Sequence, residues 1–230
     1  MTILSAVQSA AVRLIGSRPS AVFSATDATA LQFQDLAIES ATAIAKAHDW
    51  RELTSLATIV GDGTTESFAL PTDFDRMKRE TGVYVDNTIR QIQPAQDMDH
   101  WLQFVVNDIV GTPGFWIIFG GQIHIKQALT ATETAKYYYQ STKIFETGGT
   151  PTASLTADTQ TFRLSERLLT LDMIWRWRAR KGLDYAQDKA NFDLAFGEEA
   201  GRDRGARMLA MGRRRYASGV DFAYPKQITP

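Results

Sequence analysis

The chain has 230 residues, 44% of them apolar and 22% charged, enough for one domain or two small ones around a real hydrophobic core. A formal net charge of −1 excludes a global field that would draw the whole molecule to nucleic acid or acidic lipid. The absence of cysteine excludes disulfides, thiolate metal sites and cysteine nucleophiles.

The opening MTILSAVQSAAVRLIG has no basic start, and Gln8 and Arg13 interrupt its apolar run. It reads as a short amphipathic helix over about residues 5–15, not as a signal peptide. Ser24 and Asp27 then give a Ser-x-x-Asp start signal for an alanine-rich helix that ends near Trp50. Phe33, Ala37, Ala41, Ile44 and His48 fall at helical spacing on one face of it.

After Trp50 the pattern becomes β-like. Residues 53–60 and 67–70 are predicted strands flanking Gly61-Asp62-Gly63-Thr64, a tight hairpin signal. Residues 83–85 and 88–92 repeat the pattern around Asp86-Asn87. A helix is predicted from Pro94, at its first turn, to about Asn107. A hairpin follows, with strands over 115–119 and 122–126 and a turn at Gly120-Gly121, and AKYYYQS (135–141) closes the sheet. Residues 146–161, ETGGTPTASLTADTQT, are rich in Thr, Gly and Pro and read as a linker. Helical periodicity returns over 164–181 and from 184 to about 211, and 216–230 is aperiodic.

The expected fold class is therefore α+β. Helices at both ends, 1–50 and 162–212, form a bundle, and 51–145 is an inserted antiparallel, sandwich-like β domain. Residues 146–161 link the two, and 213–230 make an extended tail. No run approaches the ~18–20 apolar residues of a membrane span, and a soluble protein is expected.

The charge is unevenly spread. Residues 1–160 carry 11 Lys/Arg against 17 Asp/Glu, and residues 161–230 carry 14 against 9. The densest basic stretch, Trp175-Arg176-Trp177-Arg178-Ala179-Arg180-Lys181, fits nucleic acid, a membrane surface or protein packing. At ~100° per residue, Leu164, Leu168, Leu171 and Trp175 share one helical face, while Leu169, Met173 and Trp177 lie roughly opposite. Arg180 sits near the second stripe. Stacking on bases needs exposed tryptophans, and lying on a membrane needs one apolar face opposite one basic face. Two apolar faces instead call for cover on both sides, inside the chain or from a neighbour.

In the next helix Tyr185, Phe192 and Phe196 form an apolar stripe. Gly197, Gly201 and Gly205 then recur every fourth residue, each at ~1 kcal/mol relative to alanine in a helix. They read either as a smooth strip for another backbone or as a frayed helix end.

Little in the sequence suggests catalysis. His48 and His124 occupy packing positions, and His100 completes the histidine set. Gly61-x-Gly63 is too short for a dinucleotide fingerprint, and HExxH, GxSxG and P-loop motifs do not occur. Asp73/Asp75 and Asp97/Asp99 are the acidic pairs a glycosidase would need to hold across a cleft. No catalytic residue, metal ligand or cofactor is expected.

The run WRELTSLATIVGDGTTESFALPTDFDRM resembles the head–tail adaptor (connector) proteins of tailed bacteriophages and gene transfer agents. The resemblance lies in a helix ending at Trp50, a strand, the Gly61/Gly63 turn, Phe68-Ala69-Leu70-Pro71-Thr72-Asp73-Phe74, and a strand at 83–85. The GFWIIFGGQIHI hairpin, AKYYYQS and the Trp/Arg helix before Lys181-Gly182-Leu183-Asp184-Tyr185-Ala186 extend it over about residues 27–196. The resemblance implies a non-enzymatic virion protein at the head–tail neck, made in the host cytoplasm. It would form a ring of about 12 copies below the portal that continues the DNA channel without sequence-specific contact and docks the next tail or neck protein. A C-terminal basic part meeting the portal is implied as well.

Subunit or portal contacts are then expected at Leu169, Met173, Trp177, Arg180, Gly197, Gly201, Gly205, Arg213, Arg214, Arg215, Phe222 and Tyr224. Core positions are expected at Trp50, Phe68, Leu70, Phe74, Leu168, Leu171, Trp175, Tyr185 and Phe192. The rival readings are a carbohydrate-binding sandwich using Trp116 and Tyr137–Tyr139, a virion-borne cell-wall hydrolase, and a DNA-binding protein using the basic C-terminal part.

Overall fold

Residue types set most helix boundaries locally. In the computed structural model, which describes residues 2–79, 81–86, 91–107 and 114–205, the Asp27 carboxylate accepts the Ala30 N–H at 3.0 Å and starts α2 (Ala28–Ala47). Such a cap contributes ~1 kcal/mol over alanine. The preceding helix α1 (Ile3–Ile15) stops at Gly16, whose φ of 70° only glycine adopts readily. The chain divides into two compact units: residues 2–54 with 140–205, and residues 55–139.

The first unit centres on α4 (Glu166–Arg180), which packs against α1, α2 and α5 (Ala186–Arg204). Buried Ala30, Phe33, Leu36, Ala37, Ala41 and Ile44 recur at three- and four-residue spacing along α2. They join Ile3, Val7 and Ala10 of α1 and Leu168, Leu169, Met173, Ile174 and Trp177 of α4 in one core. The two apolar faces predicted for α4 are thus both covered within its own unit. Tyr185 and Trp175 depart from the expected core: Tyr185 is 42% exposed and Trp175 is half-buried. Leu171 and Phe192 are likewise only partly covered, at the margin of the core.

Residues 146–161 are not a linker. β9 (Phe145–Thr147) pairs antiparallel with both β10 (Thr150–Thr152) and β11 (Thr161–Phe162). Gly148 and Gly149, with φ of 56° and 85°, make the β9–β10 turn. Leu155, with Phe145 and Phe162 of β9 and β11, reaches the unit's core, and buried Gln160 ties the polar remainder together. Its Oε1 accepts the N–H groups of Thr156 and Ala157 at 2.6 and 2.9 Å, and its Nε2 donates to the Thr147 hydroxyl at 2.9 Å. Because the buried polar groups are satisfied by side chains, the stretch folds with a loop-like composition.

The second unit holds β1 (Thr54–Val60), β2 (Ser67–Ala69), β3 (Phe74–Met77), β4 (Val83–Val85), β5 (Gln91–Pro94), α3 (Met98–Val106), β6 (Phe115–Phe119), β7 (Gln122–Lys126) and β8 (Thr134–Ser141). The strands run β1-β8-β4-β5-β6-β7-β2, with β3 also on β8. β2–β7, β4–β5, β4–β8 and β6–β7 are antiparallel pairs, and β5–β6 is parallel. Buried Val83, Ile92, Ile123, Ile125, Ala135 and Tyr137 form the core, with Phe68, Leu70 and Phe74 packed at its margin. Among the described residues the fold is mixed α+β, with five α-helices and a large, mostly antiparallel sheet.

Two local expectations fail here. β1 and β2 flank the Gly61–Gly63 turn yet lie at opposite ends of the sheet order, so they are not a hairpin. The Gly61 N–H donates to the Glu133 carbonyl at 3.0 Å and the Gly63 N–H to the Leu129 carbonyl at 2.8 Å. A Cβ at Gly61 would run into the carbonyl oxygens of Leu129 and Thr130, so the glycine serves a close backbone approach. Pro94 ends β5, beside Trp116 of β6, and does not open a helix. Asp97 caps α3 instead, accepting the His100 N–H at 2.7 Å.

Candidate assembly surfaces

The cations of the Trp175–Lys181 stretch are already engaged. The carboxylate of Asp172, 1% exposed, accepts from Arg176 Nε at 2.5 Å and from Trp175 Nε1 at 2.8 Å. Arg176 also reaches Glu39 of α2 at 2.8 Å, and its guanidinium lies 4.8 Å from the Trp175 ring centroid. Arg178 pairs with Asp188 of α5 at 2.6 Å. Arg180 bridges Asp35, at 3.1 Å, and Glu39. Lys181 donates to Gln32 at 3.2 Å and sits 4.9 Å above the Trp177 ring. The stretch is a charge-paired seam binding α4 to its neighbours, not a free basic patch.

This placement corrects three predicted contacts. Leu169 and Met173 have no exposure and Trp177 only 8%, so these side chains are committed to the unit's own core. The helical wheel separates the faces correctly but cannot tell which one meets α2. Phe33 decides it by stacking on Trp177.

The glycines differ among themselves. Gly197 and Gly201 are exposed, and a Cβ at either would meet nothing within 4 Å. Gly205 instead ends α5 with a φ of 73°, its position next to the Arg51 guanidinium. A clasp that the sequence does not signal holds this helix end. Asp203 accepts the Arg51 N–H at 3.1 Å and lies 2.9 Å from His48 Nε2, while Arg51 donates to the Arg204 carbonyl at 2.7 Å. Trp50, buried as predicted, meets both His48 and Phe196 edge to face and donates to the Ile44 carbonyl at 2.9 Å. Arg213, Arg214, Arg215, Phe222 and Tyr224 lie outside the described residues.

Several apolar rows remain uncovered. On α3, Met98, Leu102, Val105 and Val106 face outward while Trp101 and Phe104 are buried beneath. On β1, Leu56 and Val60 are exposed. In the helical unit a groove of about 580 Å³ runs between α1, α4 and α5, lined by Ser9, Arg13, Arg167, Asn191 and Leu194 among others. The described residues contain no cluster of three His, Asp or Glu side chains suited to a metal ion. No described helix is long and apolar enough to cross a membrane.

Comparison with protein families matches the SU10 adaptor protein family to residues 1–221. The chain belongs to the SU10 adaptor protein family. The match spans both units and agrees with the resemblance to phage head–tail adaptors read from the sequence. Membership makes this a phage structural protein of the adaptor type. Among curated proteins, none matches the chain. For an adaptor, the uncovered rows on α3 and β1 carry more interest than the paired tryptophan helix, because contacts between proteins are made by surface not yet committed.

Proposed function

We propose that this adaptor forms a ring below the portal, continues the DNA channel and docks the next tail or neck component. The family match over residues 1–221 carries the reading. In it, the four helices of the first unit act as a bundle, and the β unit is an insert that offers further contact surface. About 12 copies close through heterologous contacts, in which different patches of each subunit meet. The exposed Gly197 and Gly201 supply a smooth strip for a neighbouring backbone, and Arg180, bridged to Asp35 and Glu39, borders the seam. Arg213–Arg215 and the excess of cations after residue 160 suit a portal surface of opposite sign.

Co-expression with the portal protein of the same genome, followed by native mass spectrometry, tests the proposal. The expected species contains both chains in equal number. A chain that ignores the portal at micromolar concentration overturns it.

A further inference from the structure

Helix α3 is apolar on two faces, and its own unit covers one of them. Trp101 and Phe104 are buried, whereas Met98, Leu102, Val105 and Val106 are exposed, from 47% at Val105 to 71% at Val106. Met98, Leu102 and Val105 recur at i, i+4 and i+7, the spacing with which an amphipathic helix seats itself in a groove of another chain. A contiguous apolar row on a protein surface marks a contact with something else. Asp99 is exposed beside the row, and among the described residues it has no ion pair or hydrogen bond. The row therefore presents four apolar side chains and one uncompensated negative charge.

The groove between α1, α4 and α5 has the complementary character. Ser5, Ala6 and Ser9 form its α1 side, and side chains this small let another helix come close. Leu171 and Leu194 supply apolar surface, Leu194 being 67% exposed. Arg13 and Arg167 line it as well, both exposed and, among the described residues, without an ion pair or hydrogen bond. In this they differ from the cations of the Trp175–Lys181 stretch. Glu166 is the one carboxylate among the described lining residues, and it accepts from the Ser5 hydroxyl at 3.3 Å. Lengths match too: the row from Ser5 to Arg13 runs ~12 Å along α1, and the nine residues of α3 make a helix of ~13 Å. We infer that α3 of one copy lies in the α1/α4/α5 groove of a neighbouring copy. Met98, Leu102 and Val105 cover Leu171 and Leu194, and Asp99 meets Arg13 or Arg167. Opposite charges set the register of the contact, and apolar burial supplies its strength. Each subunit gives one helix and receives one, a head-to-tail contact compatible with closure of a ring. The inference rests on the ring reading and goes beyond it by naming the helix and the groove that meet.

The lack of native cysteine allows a direct test. Full-length chain carrying Leu102→Cys is mixed with full-length chain carrying Leu194→Cys and oxidised, alone at high concentration and in the presence of the portal protein. Leu102 is 56% exposed and Leu194 67%, so neither substitution disturbs a core. Disulfide-linked pairs of unlike chains are expected in at least one condition. They are not expected when Tyr138→Cys, a comparably exposed position on β8, replaces Leu102→Cys. Adding Asp99→Arg to the Leu102→Cys chain should cut the yield about tenfold, because it sets like charges against each other. Arg13→Glu or Arg167→Glu in the Leu194→Cys chain should then restore it. Absence of the cross-link in both conditions overturns the proposal, and so does equal cross-linking through Tyr138→Cys or a yield indifferent to the charge reversals. In a chain carrying Leu102→Cys and Leu194→Cys together, purely intrachain disulfide refutes the neighbouring copy as the source. An equimolar portal complex that gives no cross-link removes this contact and leaves the adaptor reading standing. Cross-linked chains that do not bind the portal do the reverse.

Discussion

Phe33 of α2 and Trp177 of α4 stack with ring centroids 4.5 Å apart and planes 7° from parallel. The contact joins two helices separated by more than a hundred residues of chain, and the Lys181 ammonium lies 4.9 Å from the centroid of the same indole. Trp177→Ala should therefore destabilise the helical unit by ~3–5 kcal/mol, the usual cost of truncating a buried aromatic. Trp175→Ala, at a half-buried site, should cost clearly less. Denaturant unfolding of the two variants checks the order, and a larger loss at Trp175 would contradict the core assignment.

Asp172 is the acid on which the seam depends. With 1% exposure it takes one hydrogen bond from Arg176 and one from Trp175. Asp172→Ala leaves both donors without that acceptor, although Arg176 keeps Glu39. Stability should fall by ~2–3 kcal/mol, below the ~3–5 of a fully buried broken pair because the guanidinium is partly solvated. A double-mutant cycle with Arg176→Gln should give a coupling well above the ~0.2–1 kcal/mol of exposed pairs.

The clasp at the end of α5 predicts a local effect. Asp203→Ala removes the acceptor of the Arg51 N–H and the partner of His48. Hydrogen exchange should quicken in the last two turns of α5 while α2 stays protected, since the loss falls on a helix end. Gly205→Ala should act in the same place, at a cost of ~1–3 kcal/mol, because a φ of 73° with a ψ of 172° is backbone that essentially only glycine adopts. Uniform loss of protection across the unit would argue against a local clasp.

Two tyrosines on β8 predict an alkaline limit for the β unit. Burial pushes the Tyr139 phenol up to about 12, and its 2.8 Å hydrogen bond to Asp73 favours the neutral form as well. Burial also raises Tyr137 to about 12, with Tyr139 beside it. Folded pKa values above the ordinary 10.0 mean that this stability is complete below pH 10 and is lost as pH rises toward 12. Tyr139→Phe should flatten the pH dependence of unfolding in that window. An unchanged slope would show that the phenol ionises equally in folded and unfolded chain.

Sequence reasoning located the elements well where a residue acts on its own neighbours. Asp27 capping α2, Gly16 closing α1 and Gly120-Gly121 turning β6 into β7 are all local effects, and all were legible. It failed where the partner is remote. Gly61 looks like a hairpin glycine until the backbone of residues 129–130 is beside it. Residues 146–161 look like a linker because Gln160, a single side chain, satisfies their backbone. The two faces of α4 were separable by periodicity, but their assignment to core or interface depended on Phe33, 144 positions away. The Asp203–His48 pairing left no pattern at all, since it joins two single residues far apart in the chain.

The division of the first unit between residues 2–54 and 140–205 has a consequence during synthesis. When α2 leaves the ribosome, α4, the helix that covers Phe33, has not been made. Residues 55–139 come first, and at ~5–20 residues per second they take roughly 4–17 s. The apolar faces of α1 and α2 must wait that long, whereas the described strands of the β unit, continuous in sequence, have all been made once β8 emerges. Translation thus imposes an order: the inserted unit folds first, and the unit that encloses it in sequence is completed last.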